Sequence, residues 1–165
     1  VVDGRIYHGA KPGEAEIGHV RLDKSGTIVE QRCAGWAVDR KIREACQREP
    51  WSPLSQLTAD ADHGDARALA PALAQGDALA QRIVDEVADD LAFGLSHVTQ
   101  LVHPEVIVLG GGLSLVGEPW RAAVATALKR YVMEAFAPGP RVALAGLGED
   151  SVPVGALLLA QGATQ

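Results

Sequence analysis

The sequence predicts an α/β fold, on three observations. A long helical pattern runs from Asp77 to the pair His103-Pro104, with Ile83, Val84, Val87, Leu91, Leu95, Val98 and Val102 tracing an apolar stripe of helical period. An unbroken apolar run follows it, Val106-Ile107-Val108-Leu109, which reads as a strand covered on both faces, as in parallel sheets. A Gly-rich turn, a helix, a strand and a helix then complete an alternation that calls for a crossover connection.

The elements follow in order. Val1-Val2-Asp3-Gly4-Arg5-Ile6-Tyr7 reads as a strand end, a tight turn and a second strand, which continues over residues 6–8. A hairpin that starts at the first residue implies an upstream partner strand, so the chain is expected to be a fragment. Residues 9–15 are a loop rich in turn formers. Residues 19–22 alternate as a strand, with Val20 and Leu22 on one face, Asp23 to Gly26 turn the chain, and residues 27–29 make a further short strand. Val38, Ile42 and Cys46, four apart, predict a helix over 36–48. Residues 49–55 carry two prolines and break the chain; residues 60–76 hold helical pieces separated by Gly64 and Gly76. Asp77 is placed to cap the long helix, and Pro104 stops it. Asp85, Glu86, Asp89 and Asp90 lie mostly off the stripe and read as a solvated face. Beyond the strand, a helix is predicted over 120–136, a strand over 141–145 after Pro138-Gly139-Pro140, and a last helix over 153–161 with Pro153 near its start.

The totals narrow the function. At 165 residues the chain can bury one core, and 47% hydrophobic with 22% charged residues is ordinary for a soluble domain. A net charge of -6 argues against nucleic acid as a partner of this segment, since phosphate backbones need a basic face. No apolar run reaches membrane-spanning length, and no basic-then-apolar leader opens the chain. Cys33 and Cys46 form neither a metal spacing nor a disulfide framework, which points to a reducing cytoplasm.

Three places could carry chemistry. Glu16-Ile17-Gly18-His19 lies between a loop and a strand, and a carboxylate beside an imidazole can hold vicinal hydroxyls; two polar residues facing water is the alternative. Glu30 stands between a predicted strand and a helix, where site residues concentrate, or it is a plain surface glutamate. Gly110-Gly111-Gly112 after the apolar strand would let backbone approach a nucleotide closely, or make a simple tight turn; it has neither the Gly-Lys-Ser/Thr of a phosphate loop nor a dinucleotide spacing. Asp60, Asp62, His63 and Asp65 imitate a metal cluster but read as a solvated loop. Cys33 and Cys46 read as small packing residues rather than nucleophiles, and Trp36, Trp51 and Trp120 as packing rather than a stacking platform.

Together these stretches resemble the ROK family of sugar kinases and repressors: Gly4 to Gly9, Glu14 to His19 (EAEIGH), Glu30 to Ala37, Pro104 to Leu113 (PEVIVLGGGL) and Val152 to Ala160, in the family's order. The resemblance implies the actin-like, ribonuclease-H-like ATPase fold, of which residues 1–165 would be the C-terminal lobe, a mixed sheet flanked by helices. It implies transfer of the ATP γ-phosphate, with Mg2+, to a hexose or N-acetylhexosamine. It makes Glu16, His19 and Glu30 sugar contacts and Gly110, Gly111 and Gly112 the nucleotide side, and it suggests a homodimer.

Two departures qualify the resemblance. The family's zinc site joins the motif His to three cysteines, whereas only ten residues separate His19 from Glu30 and none is Cys, so no structural zinc is expected. The general-base Asp and the Asp-x-Gly-x-Thr phosphate loop precede everything in this sequence, so no catalytic residue is assigned and the chain alone is not expected to phosphorylate. The same resemblance allows a sugar-sensing lobe of a repressor, and a degenerate lobe serving only oligomerisation is the third reading.

Overall fold

A computed structural model describes residues 1–2, 4–10, 15–59 and 64–162. Its helices are α1 (Val29–Cys33), α2 (Gly35–Arg48), α3 (Pro53–Thr58), α4 (Leu69–Ala74), α5 (Ala78–Val102), α6 (Glu118–Leu128) and α7 (Ser151–Gly162); its strands are β1 (Val106–Leu109) and β2 (Arg141–Leu144).

The 25-residue α5 organises the molecule. Asp77 caps it as its position suggests: Oδ1 accepts from the Leu79 N–H at 2.8 Å, while Oδ2 accepts from the Leu54 N–H at 2.6 Å and so ties the start of α5 to α3. At the other end His103 adopts φ 46°, and its N–H closes on the Thr99 carbonyl at 2.9 Å. Leu79, Ile83, Val84, Val87 and Leu95 of α5 are buried with Val38 and Ile42 of α2, Val124 and Leu128 of α6, and Leu54 of α3 in one core. The expected stripe holds through Leu95 and then rotates: Thr99 takes the core position, donating to the Leu95 carbonyl at 3.0 Å, and Val102 is left 66% exposed. A hydroxyl that bonds its own helix backbone can be buried without an orphaned donor.

The sheet is small. β1 and β2 run parallel in the register Val106↔Arg141 to Leu109↔Leu144, joined by a crossover through α6. Antiparallel pairing is confined to two isolated bridges among the described residues, Val2↔Arg5 and Arg21↔Ile28. No strand forms over residues 6–8, residues 17–19 make a 3-10 turn instead of entering a strand, and Val29 opens α1 rather than ending a strand. Alternation over three or four residues is too short a signal to separate a bridge from a strand. The expectation of a strand covered on both faces also changes: Leu109 is buried, but Val108 is 59% exposed because helices cover one face of the pair only. The helix expected over 120–136 stops at Leu128, with a 3-10 turn at Glu134–Phe136.

Of the imitation metal cluster, Asp60, Asp62 and His63 lie outside the described residues. Asp65 is not solvated: it is 2% exposed and accepts from Arg43 Nε at 2.6 Å, an anchor for the turn that precedes α4. The acidic face of α5 is likewise only partly free. Asp85 and Glu86 are exposed, whereas Asp89 accepts from Tyr131 Oη at 2.8 Å and from Arg130 Nη2 at 2.5 Å.

Candidate functional site

The site is built by a turn. Leu22 N–H bonds the Thr27 carbonyl at 2.8 Å and Val29 N–H the Val20 carbonyl at 3.0 Å, so residues 20–22 and 27–29 lie antiparallel. Asp23 closes the end between them, its Oδ1 accepting from Ser25 Oγ at 2.5 Å, Gly26 N–H at 2.9 Å and Thr27 N–H at 3.2 Å. Three donors on one carboxylate hold the Asp23 carboxyl well below the usual range. Gly26, at φ 108°, supplies a backbone conformation that other residues reach only with strain.

The turn returns the chain to its starting point. His19 leads into it and Glu30 leads out, and His19 Nε2 comes to 4.0 Å from Glu30 Oε2. Both remain open to solvent, at 70% and 46% side-chain exposure. Glu16 precedes the 3-10 turn, its carbonyl accepting from the His19 N–H at 3.2 Å, and is exposed. Glu30 sits in the first turn of α1. Gln31 Oε1 accepts from the Ile28 N–H at 3.2 Å, half of a capping box; Ile28 has no side-chain oxygen to return the other half. Val29 and Cys33, on the inner side of α1, pin it to α5.

A cleft of about 340 Å³ opens beside Glu30. Gly18, Glu30, Leu91, Leu109, Gly110 and Trp120 are among its walls, so the carboxylate of one motif and the first glycine of another share one cavity. Glu16, His19, Gly111 and Gly112 are not among those walls. Gly111 has φ 77°, and its carbonyl accepts from Ser114 N–H at 3.0 Å and Ser114 Oγ at 2.7 Å, which turns the chain from β1 into a 3-10 turn over Gly112–Val116. A side chain added at Gly111 or Gly112 would meet no atom within 4 Å; the space over both is open.

Of the remaining candidates, Cys33 and Trp120 are packing residues, whereas the packing expected of Trp36 and Trp51 is not found. Cys33 Sγ donates to the Val87 carbonyl at 3.7 Å, and burial pushes its thiol up to about 12, so it is no nucleophile. Trp120 is buried at 3% exposure, whereas Trp36 and Trp51 are exposed. Among the described residues no three His, Cys, Asp or Glu side chains gather where they could hold a metal ion. Two contributors escaped the sequence reading: Gln31, which fixes the start of α1, and Gly18, where an added Cβ would lie 3.5 Å from Glu30 Cβ. The spacing of Gln31 to its cap position was a readable signal; the closeness of Gly18 to Glu30 was not, because it depends on the hairpin.

A family model described as the ROK family matches residues 1–163. A glucokinase of Thermotoga maritima is 29% identical, over 94% of this chain and 52% of its own length. An uncharacterised protein of Clostridium perfringens is 27% identical, over 89% and 45%. Among solved structures, a ROK family glucokinase from Streptomyces griseus, in complex with glucose and AMPPNP, superposes with a TM-score of 0.84 at 26% identity, over 94% of this chain and 54% of that one. A ROK hexokinase from Thermus thermophilus gives 0.70 at 28%, over 94% and 50%. The chain spans about half the length of the curated relatives it matches.

Proposed function

The chain belongs to the ROK family and has its actin-like ATPase fold, and from that premise we propose that it is the C-terminal lobe of an ATP-dependent kinase acting on a hexose or N-acetylhexosamine. Glu16, His19 and Glu30 hold the sugar, and Gly110, Gly111 and Gly112 form the wall against the nucleotide. The observation that carries this reading is the shared cleft, which sets Glu30 and Gly110 on the walls of one cavity. The glucose and AMPPNP of the Streptomyces griseus glucokinase supply the chemical classes of the two ligands.

The chain's own part in the reaction is positioning. The Glu30 carboxylate accepts hydrogen bonds from sugar hydroxyls, and the imidazole of His19, 4.0 Å away, can accept from or donate to a neighbouring hydroxyl. Two such groups fix the ring in one orientation, and orientation is most of what phosphoryl transfer asks of a protein. The hairpin makes that orientation firm, because ten residues closed by Asp23 replace a longer loop between the two side chains. The general base and the phosphate-binding loop belong to the other lobe. Mg2+ would accompany ATP and offset its phosphate charge, and no residue of this chain is assigned to hold it. A homodimer in the cytoplasm goes with this reading, and free Cys33 and Cys46 suit a reducing compartment.

The test is the native protein assayed with ATP and with glucose or N-acetylglucosamine, beside Glu16→Ala and Glu30→Ala. Loss of a charged hydrogen bond to a hydroxyl should raise the sugar KM by about tenfold or more at either position and leave the ATP KM within a factor of ~2. Unchanged sugar KM in both variants would refute the assignment.

A further inference from the structure

We propose that Gly94, in the middle of α5, is a positioning residue that sets where the Glu30 carboxylate stands in the cleft. The inference rests on the reading of Glu30 as a sugar contact and extends it to a residue that touches no ligand.

A glycine inside a 25-residue helix runs against local propensity and calls for a reason. The reason is visible at its surface. A Cβ built on Gly94 would lie 2.6 Å from Val29 Cγ2, far inside van der Waals contact, and 3.9 Å from both Val29 Cβ and Leu22 Cδ2. Val29 opens α1, is 4% exposed, and sits between Gly94 and the cleft, which it helps to wall. Its β-branched side chain is stiff in a helix, where one rotamer dominates, so the methyl cannot swing aside freely. An added methyl therefore pushes Val29, and α1 with it, toward the cleft, and the next residue of α1 is Glu30.

The geometry also says what this shift disturbs. Leu22, the other side chain near Gly94, belongs to the hairpin that delivers His19, and Val29 N–H is bonded to the Val20 carbonyl at 3.0 Å. Displacing Val29 therefore moves both arms of the turn that bring His19 and Glu30 within 4.0 Å. Gly94 does not line the cleft. Its influence on sugar passes through the close approach of α5, whose Leu91 and Leu95 wall the cleft, to α1, which brings Val29 and Glu30 to it.

Gly94→Ala, Val29→Ala, the double variant and Glu30→Gln are compared in the native protein, with sugar and ATP KM and with amide resonances of residues 28–34 as readouts. Gly94→Ala should shift those amides and raise the sugar KM by about tenfold, ATP KM holding within a factor of ~2, since ångström displacements of positioning groups carry penalties of that order. Removing the obstructing methyl should relieve it: in the Val29→Ala background the methyl added by Gly94→Ala should change sugar KM by less than about twofold, a non-additivity expected of groups in contact. A lower melting temperature with unchanged sugar KM in Gly94→Ala overturns the inference, as does an equal penalty in both backgrounds. If Glu30→Gln leaves sugar KM unchanged, the reading of Glu30 itself fails; if Glu30→Gln raises it and Gly94→Ala does not, only the positioning role fails.

Discussion

Two regions of this molecule obey different rules. Between Val29 and Leu128 the described residues form a packed body, helical apart from β1 and short turns, with Val38, Ile42, Leu54, Val84 and Val124 at or near zero exposure. None of the described residues before Val29 is buried, yet two of the three proposed sugar contacts lie there. The body is stable because it removes apolar surface from water; the leading segment leans on it only through half-buried Val20 and Leu22 and is otherwise held by hydrogen bonds at Asp23 and across the Arg21↔Ile28 bridge. α1 belongs to both, with Val29 and Cys33 in the core and Glu30 at the cleft. The lesson is that affinity and stability should separate along the chain.

The largest effect should come from the body. Ile42→Ala removes a side chain at 0% exposure and should cost about 2–5 kcal/mol in chemical denaturation, while any folded fraction keeps its sugar KM. A sugar KM that moved with it would break the separation. Next is Asp77→Ala, which strands the N–H groups of Leu79 and Leu54 and should cost ~1–3 kcal/mol, again without a change in sugar affinity. Glu30→Ala is the converse: it should alter stability by less than about 0.5 kcal/mol, since its side chain is half open to solvent, while sugar affinity falls.

The smallest effects sharpen the picture at the rim of the body, where adjacent carboxylates are tuned in opposite directions. Burial pushes Asp89 up, but its hydrogen bonds from Arg130 and Tyr131 outweigh that and leave it below its ordinary value. Burial raises Asp90, and the nearby charges of Lys41 and Arg32 offset only part of it. A depressed carboxyl contributes stability above the ordinary carboxylate range that is lost as pH falls through its folded pKa; a raised one contributes below that range and loses it as pH rises. Asp89→Asn should therefore lower the melting temperature at neutral pH and Asp90→Asn should hold or raise it, the two profiles converging in acid. Matching losses at neutral pH would contradict the opposed environments.

The same division governs what was legible in the sequence. α5, β1 and the end at Pro104 were readable because period, an apolar run and a proline are each long or categorical signals. The rotation of the stripe at Thr99 was not, since a buried hydroxyl satisfied by its own helix leaves no mark in a polarity pattern. Residues 6–8, 19–22 and 27–29 were over-read as strands because a few alternating residues cannot say whether a neighbour strand is present. Glu16, His19 and Glu30 were legible only as a motif; the approach of His19 to Glu30 follows from the Asp23 turn, and Gly94 and Gln31 became visible only once α1 had been placed on α5.

The central claim is that the Asp23 turn brings an imidazole and a carboxylate, His19 and Glu30, to one sugar that Glu16 also reaches. A crystal structure of the native protein soaked with glucose would test it most directly. The account predicts ring hydroxyls within hydrogen-bonding distance of Glu16, His19 and Glu30, at the mouth of the cleft that Gly110 also lines. Glucose seated away from those three side chains would contradict it.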